Sequence, residues 1–131
     1  MLALQRATHH TLHVLSSALA DLNLTAAEIN ALANLADRGA LNVRELSAET
    51  GTRATTLTGV LDRLENRGYV TRELDPTDRR SFRLPLTEAG QAAADRVRAA
   101  VADLERDALA RLSPTQIAGF HAVVAALQEA R

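Results

Sequence analysis

"LENRGYVTRELDPTDRRSFRLPLTEAG", residues 64–90, is where the hydrophobic rhythm of the chain changes. Before Gly68, apolar residues recur at helical spacing. After it they recur at every second position. Val70 and Leu74 alternate with polar residues, and Phe82, Leu84 and Leu86 do so again. That period belongs to strands. The intervening "DPTDRR" is turn chemistry, so the two runs predict a β-hairpin, with Pro85 at an edge or a strand end. Arg79 and Arg80 sit at its tip, where a core has no use for them.

Towards the N-terminus the period is helical. Gly68 closes a helix that Thr52 is expected to open and that runs to about Asn66, with Leu57, Val60, Leu61 and Leu64 as its stripe. Before it, Asn42 with Glu45 three residues on starts a short helix that Gly51 ends. Two short helices joined through a glycine read as a helix-turn-helix. Further back, Thr25 and Glu28 form a capping-box pattern, flanked by Leu24 and Ile29 as a hydrophobic staple, and Gly39 stops that helix. Leu12, Leu15, Leu19 and Leu22 mark a first helix over roughly residues 2–21.

Towards the C-terminus, Thr87 caps a long fifth helix bearing Val97, Val101, Leu104 and Leu112. Ser113 and Pro114 then start a sixth, with Ile117, Phe120, Val123, Val124 and Leu127. The expected fold is mainly α with a small β-hairpin wing, in the order α-α-α-α-β-β-α-α.

Composition narrows the function. The 131 residues are 47% apolar but only 2% aromatic, with no cysteine. Disulfides and thiolate-bound metals are excluded. No run of about 18 apolar residues is present, and the first residues lack a signal-peptide pattern, so a cytoplasmic protein is expected, with no membrane partner. Net charge is −1, yet residues 53–83 carry seven arginines against five acids. All basic residues are arginine, whose planar fork suits phosphate and guanine. No nucleophile–base pair, glycine-rich phosphate loop or dense carboxylate cluster appears, so an enzyme is not expected, nor is a cofactor.

A helix-turn-helix lays its second helix in the DNA major groove. Arginines on an adjoining hairpin reach the neighbouring minor groove, where narrow A·T tracts concentrate negative potential. The basic tip is thus explained by phosphate, with Asp78 expected to orient the Arg80 guanidinium.

Residues 24–90 resemble the MarR family of bacterial winged-helix regulators. The specific pieces are "LDRLENRGYV", then Asp78-Arg79-Arg80, then Leu86-Thr87 to Gly90. The resemblance implies an obligate homodimer that binds a pseudo-palindromic operator on double-stranded DNA, usually to repress, with release by a small-molecule effector, an oxidant or a metal. It divides the single domain of residues 1–131 into a DNA-binding lobe, 24–88, and a helical dimerisation region, 1–23 and 89–131. It places Thr55, Thr56 and Thr58 on the groove side of the recognition helix 53–66, Arg53 at its start near phosphate or a base, and Arg80 in the minor groove from the wing 74–82. Arg53 stands where the family often has a small hydroxyl, which leaves Thr52 to cap the helix.

Several residues keep two readings. Arg63 and Arg67 either touch phosphate or complement the helix dipole. Gly59 costs about 1 kcal/mol in mid-helix relative to Ala; it marks a close approach to DNA or to neighbouring protein, or it is tolerated. His9 and His13 are spaced i, i+4, as two imidazoles on one metal are, and His121 lies on the last helix. No metal is expected there, and interface or surface roles account for all three. A second alternative puts Arg6, His9 and His10 beside a pocket for an acidic ligand. A winged helix reused for protein contact, or a histidine-based metal sensor, is the competing function.

Overall fold

Side chains set where most of the helices begin. The structure, a computed structural model, describes residues 2–130. In chain order it contains α1 (Leu2–Ala18), a 3-10 turn (Ala20–Leu22), α2 (Ala26–Arg38), α3 (Val43–Thr50), α4 (Ala54–Asn66), β1 (Glu73–Leu74), β2 (Phe82–Arg83), α5 (Glu88–Leu109) and α6 (Pro114–Glu129). Thr25 accepts from the Glu28 N–H at 3.2 Å, Asn42 from the Glu45 N–H at 2.7 Å, and Thr87 from the Gly90 N–H at 3.0 Å. Ser113 and Gln116 form a full reciprocal capping box behind Pro114. Each such cap is worth about 1 kcal/mol.

Two boundaries differ from expectation. The first helix ends at Ala18, and the chain tightens into the 3-10 turn before Asn23, at φ 50°, reverses it into the Thr25 cap. The fourth helix opens at Ala54 rather than at Thr52, because the Thr52 backbone is already engaged. Its carbonyl accepts from the Ser47 hydroxyl at 2.6 Å and its N–H donates to Thr50 Oγ1 at 3.2 Å. Arg53 becomes the N-cap and supplies no side-chain cap.

The strands are shorter than the alternation suggested. Only Glu73↔Arg83 and Leu74↔Phe82 pair regularly, with an isolated bridge Val70↔Leu86 below them. Pro85 has no N–H to give, which interrupts the ladder between those pairs. Val70 is therefore buried while Leu74 is exposed, and the two do not share a face. A third segment completes the sheet: Asn42 bridges Arg83, and the Leu84 N–H donates to the Leu41 carbonyl at 3.0 Å.

The chain divides into two compact units, one up to Val101 and one from Ala102. The first contains the expected lobe 24–88 together with α1 and the start of α5. Leu32 and Leu35 of α2, Leu46 of α3, Leu57, Leu61 and Leu64 of α4, Leu84 of the wing and Val97 of α5 are fully buried in one cluster. Burying each leucine is worth about 1.5–3 kcal/mol. In the second unit, α6 has no buried residue.

Candidate nucleic-acid interface

The turn between α3 and α4 is built around Gly51. At φ 68° it occupies the left-handed region that disfavours a side chain, and its N–H donates back to the Ser47 carbonyl at 3.0 Å. This holds α4 with Leu57, Val60, Leu61 and Leu64 inward. Arg53, Thr55, Thr56 and Thr58 then face solvent. The Thr58 hydroxyl donates to the Ala54 carbonyl at 2.9 Å, which leaves its oxygen lone pairs facing outward as acceptors. With no capping side chain at Arg53, the first N–H groups of α4 lie at a positive helix end open to an anion.

Gly59 lies between these residues on the same side of α4. A Cβ built there meets only Arg63 Nη1, at 3.6 Å, which is ordinary contact. Among the described residues, no close approach explains this glycine. Gly90 is the opposite case. A Cβ there would lie 1.8 Å from the Tyr69 carbonyl oxygen, which also accepts from the Thr87 N–H at 3.0 Å. The start of α5 is thus seated against the wing root.

Asp75 anchors the wing. Although it lies in the hairpin it is 3% exposed. Its Oδ1 accepts from the Thr77 N–H at 2.9 Å and the Thr77 hydroxyl at 2.8 Å, and the Arg83 Nε stands 3.5 Å away. Arg83 also donates to the Ala40 carbonyl at 3.0 Å. These bonds, led by the Thr77 N–H, pull the Asp75 carboxyl down to about 2. At the tip, Asp78 was expected to hold the Arg80 guanidinium. It instead accepts from the Arg80 backbone N–H at 3.0 Å, and its carbonyl accepts from the Ser81 N–H at 3.0 Å. Short Asp side chains favour this local bond in a turn. Asp78 shapes the tip and leaves the Arg80 side chain out in solvent.

Ion pairing sorts the arginines. Arg72, just before β1, bridges Asp62 and Glu65 of α4. Arg83 faces Asp75, and Arg63 and Arg67 share Glu28. Among the described residues of segment 53–83, Arg53, Arg79 and Arg80 have no ion pair, and all three are exposed. The Glu28 and Asp75 clusters were not foreseen. Their partners lie 35 and 33 positions apart for Glu28–Arg63 and Asn42–Asp75, and no local pattern announces them.

Arg6, His9, His10 and His13 lie along one exposed face of α1, around an open depression of about 540 Å³ also lined by Leu2 and Gln5. His121 is exposed on α6, in the second unit. Among the described residues, no three metal-ligating side chains gather at one point, and no helix is long and apolar enough to cross a membrane.

A buried three-helix lobe, a turn fixed by glycine and a hairpin with a basic tip define a winged helix-turn-helix protein. Residues 22–81 match the sequence model of the MarR family. Over that segment the chain is similar to MarR-family regulators. It is 44% identical over 54 residues to the uncharacterised HTH-type transcriptional regulator YcgE of Bacillus subtilis, a match covering 40% of this chain and 35% of that protein. The chain thus spans about a third of the length of that relative. Over the whole fold it resembles CouR from Rhodococcus jostii RHA1, solved bound to p-coumaroyl-CoA, with a TM-score of 0.87, 25% identity, and 98% and 91% of the two chains covered. A probable transcriptional regulator from Pseudomonas aeruginosa superposes with a TM-score of 0.81 at 29% identity, covering 96% of this chain and 94% of that one.

Proposed function

We propose that the protein is a dimeric, ligand-responsive DNA-binding regulator, acting as a repressor on a pseudo-palindromic operator. In this reading α4 enters the major groove and the wing tip the adjacent minor groove. Residues 24–88 form the DNA-binding lobe, and residues 1–23 and 89–131 the dimerisation region. Thr55, Thr56 and Thr58 face base edges, and Arg53, Arg79 and Arg80 meet the DNA backbone and minor groove. Asp78 sets the tip's shape. The observation that carries the reading is the sorting of charge: ion pairs occupy the arginines beside the lobe's core and leave unpaired those at the start of α4 and the wing tip.

Dimerisation is supported by α6, an apolar helix with Phe120 53% and Val123 57% exposed. A two-fold partner would cover them and set two recognition helices about one DNA turn apart, roughly 10 bp. An effector is supported by CouR's ligand complex and by the basic, partly apolar depression along α1. Arg6, His9 and His10 are the residues proposed to meet an acidic group there.

The test is a DNA-binding titration across salt with wild type and Arg80→Ala, on promoter and random duplexes. Wild type is expected to prefer one promoter site. Arg80→Ala is expected to bind it about tenfold or more weakly, with a log–log salt slope flatter by about one unit per subunit. Equal binding of both duplexes rejects this function in favour of a protein-interaction module, and an Arg80→Ala curve that overlays wild type removes the wing from the mechanism.

A further inference from the structure

Glu28 is a buried charged residue, at 2% exposure. It sits on the first turn of α2, away from the groove-facing threonines of α4. As a cap partner alone it would need no arginine. Its Oε1 nevertheless accepts from the Thr25 hydroxyl at 3.2 Å and from Arg63 Nε at 3.1 Å. Its Oε2 is buried with no hydrogen-bond partner and has Arg67 Nε at 3.8 Å. One carboxylate thus faces two guanidiniums, leaving one positive charge in excess.

The hydrogen bonds show where that excess appears. Arg67 is spent on the protein: Nη1 donates to the Leu22 carbonyl at 2.7 Å, Nη2 to the Asn23 carbonyl at 2.6 Å, and the group lies 6.0 Å from the Tyr69 ring centre. Arg63 is different. It is held by Nε alone, its side chain is 52% exposed, and it emerges from α4 one turn beyond Gly59. A guanidinium gripped at Nε keeps its two Nη groups as a forward fork, the geometry that meets a phosphate in two parallel bonds.

We propose that Glu28 is a positioning residue that aims Arg63 at a DNA phosphate flanking the major groove. The carboxylate lies on α2, grips Nε and leaves the Nη fork outward, so α2 takes part in DNA binding without touching DNA. This rests on the proposed DNA-binding function. Groups that hydrogen-bond to a metal's ligands orient those ligands in the same way.

The experiment is a double-mutant cycle on the full chain, using the preferred promoter duplex, with affinity and salt slope read alongside the melting temperature. Arg63→Ala leaves Glu28 with Arg67 at 3.8 Å and is expected to stay folded. It should weaken binding about tenfold and lower the salt slope by about one unit per subunit. Arg63→Lys keeps the charge but cannot both reach Glu28 through Nε and present a fork. It should recover less than half of that loss on a logarithmic scale. Glu28→Gln should weaken binding about three- to tenfold in the wild-type background, and less than about twofold once Arg63 is Ala. Arg63→Ala binding as wild type, or Glu28→Gln losses of equal size in both backgrounds, would overturn the proposal while DNA binding itself stands. Wild type that binds no duplex selectively would remove the function beneath it.

Discussion

The leucines of α2 and the apolar residues of α6 carry similar sequence signals and meet opposite fates. Leu32 and Leu35 are at 0% and 1% exposure, whereas Phe120 and Val123 remain at 53% and 57%. Periodicity identifies a face that must be covered. It does not say whether the chain covers it. In the lobe the cover is intramolecular, from α3, α4, the wing and α5. For α6 the described residues half-bury Ile117, Val124 and Leu127 but leave Phe120 and Val123 open, and the proposed second copy is what the contrast calls for. Contiguous exposed apolar surface of this kind marks an interaction site rather than ordinary surface.

The largest expected effect breaks the lobe. Leu32→Ala should cost about 2–5 kcal/mol of stability, read by chemical denaturation, while the molecules still folded bind DNA normally. Phe120→Asp with Val123→Asp should do the reverse. Sedimentation should show a monomer at micromolar concentration, and operator binding should fall about 100-fold or more, with the helical content of the lobe kept. A double mutant that keeps the dimer's mass and affinity would show that α6 is not the seam.

A smaller effect separates the wing from the core by pH. Asp75 is held at about 2 in the folded protein against an ordinary value of 3.8. A depressed carboxylate contributes stability that is fully present above its unfolded value and disappears as pH falls through its folded one. The melting-temperature gap between wild type and Asp75→Asn should therefore be constant above about pH 5 and close between about pH 4 and 2. A gap unchanged down to pH 2 would show that the carboxylate's charge does not anchor the wing.

What could be read from sequence was local. Thr25, Asn42, Thr87 and Ser113 each cap the helix that follows because a cap needs only a side chain and the next three residues. The hairpin with Arg79 and Arg80 at its exposed tip was legible for the same reason, through turn chemistry and the change of period. The rest depends on partners far along the chain. The capping-box pattern located α2 but could not show that Glu28 turns to Arg63, nor that Asn42 donates to Asp75 at 3.5 Å. Thr52 looked like a cap because Ser47 and Thr50, which engage its backbone, are out of view in any helix-start pattern. Asp78 seemed a guanidinium partner, yet the nearer backbone N–H won.

The smallest expected effect is the most discriminating, and it concerns Gly59. In mid-helix a glycine is less stable than alanine by roughly 0.5–1 kcal/mol, since it loses more backbone freedom on folding. The structure removes one reason for keeping it, because an added methyl would meet only the end of a flexible arginine at 3.6 Å. If α4 lies in a major groove, Gly59 shares its outward side with Thr55, and a methyl there would push the helix axis away from the base edges. Gly59→Ala should then raise the melting temperature by a few degrees and weaken operator binding several-fold, with the salt slope unchanged because no phosphate contact is lost. The opposite signs matter. A merely tolerated glycine gives higher stability with affinity intact, and a glycine required by the protein gives lower stability. Only close approach to DNA couples a more stable fold to a weaker complex, and differential scanning calorimetry beside a binding titration reads both.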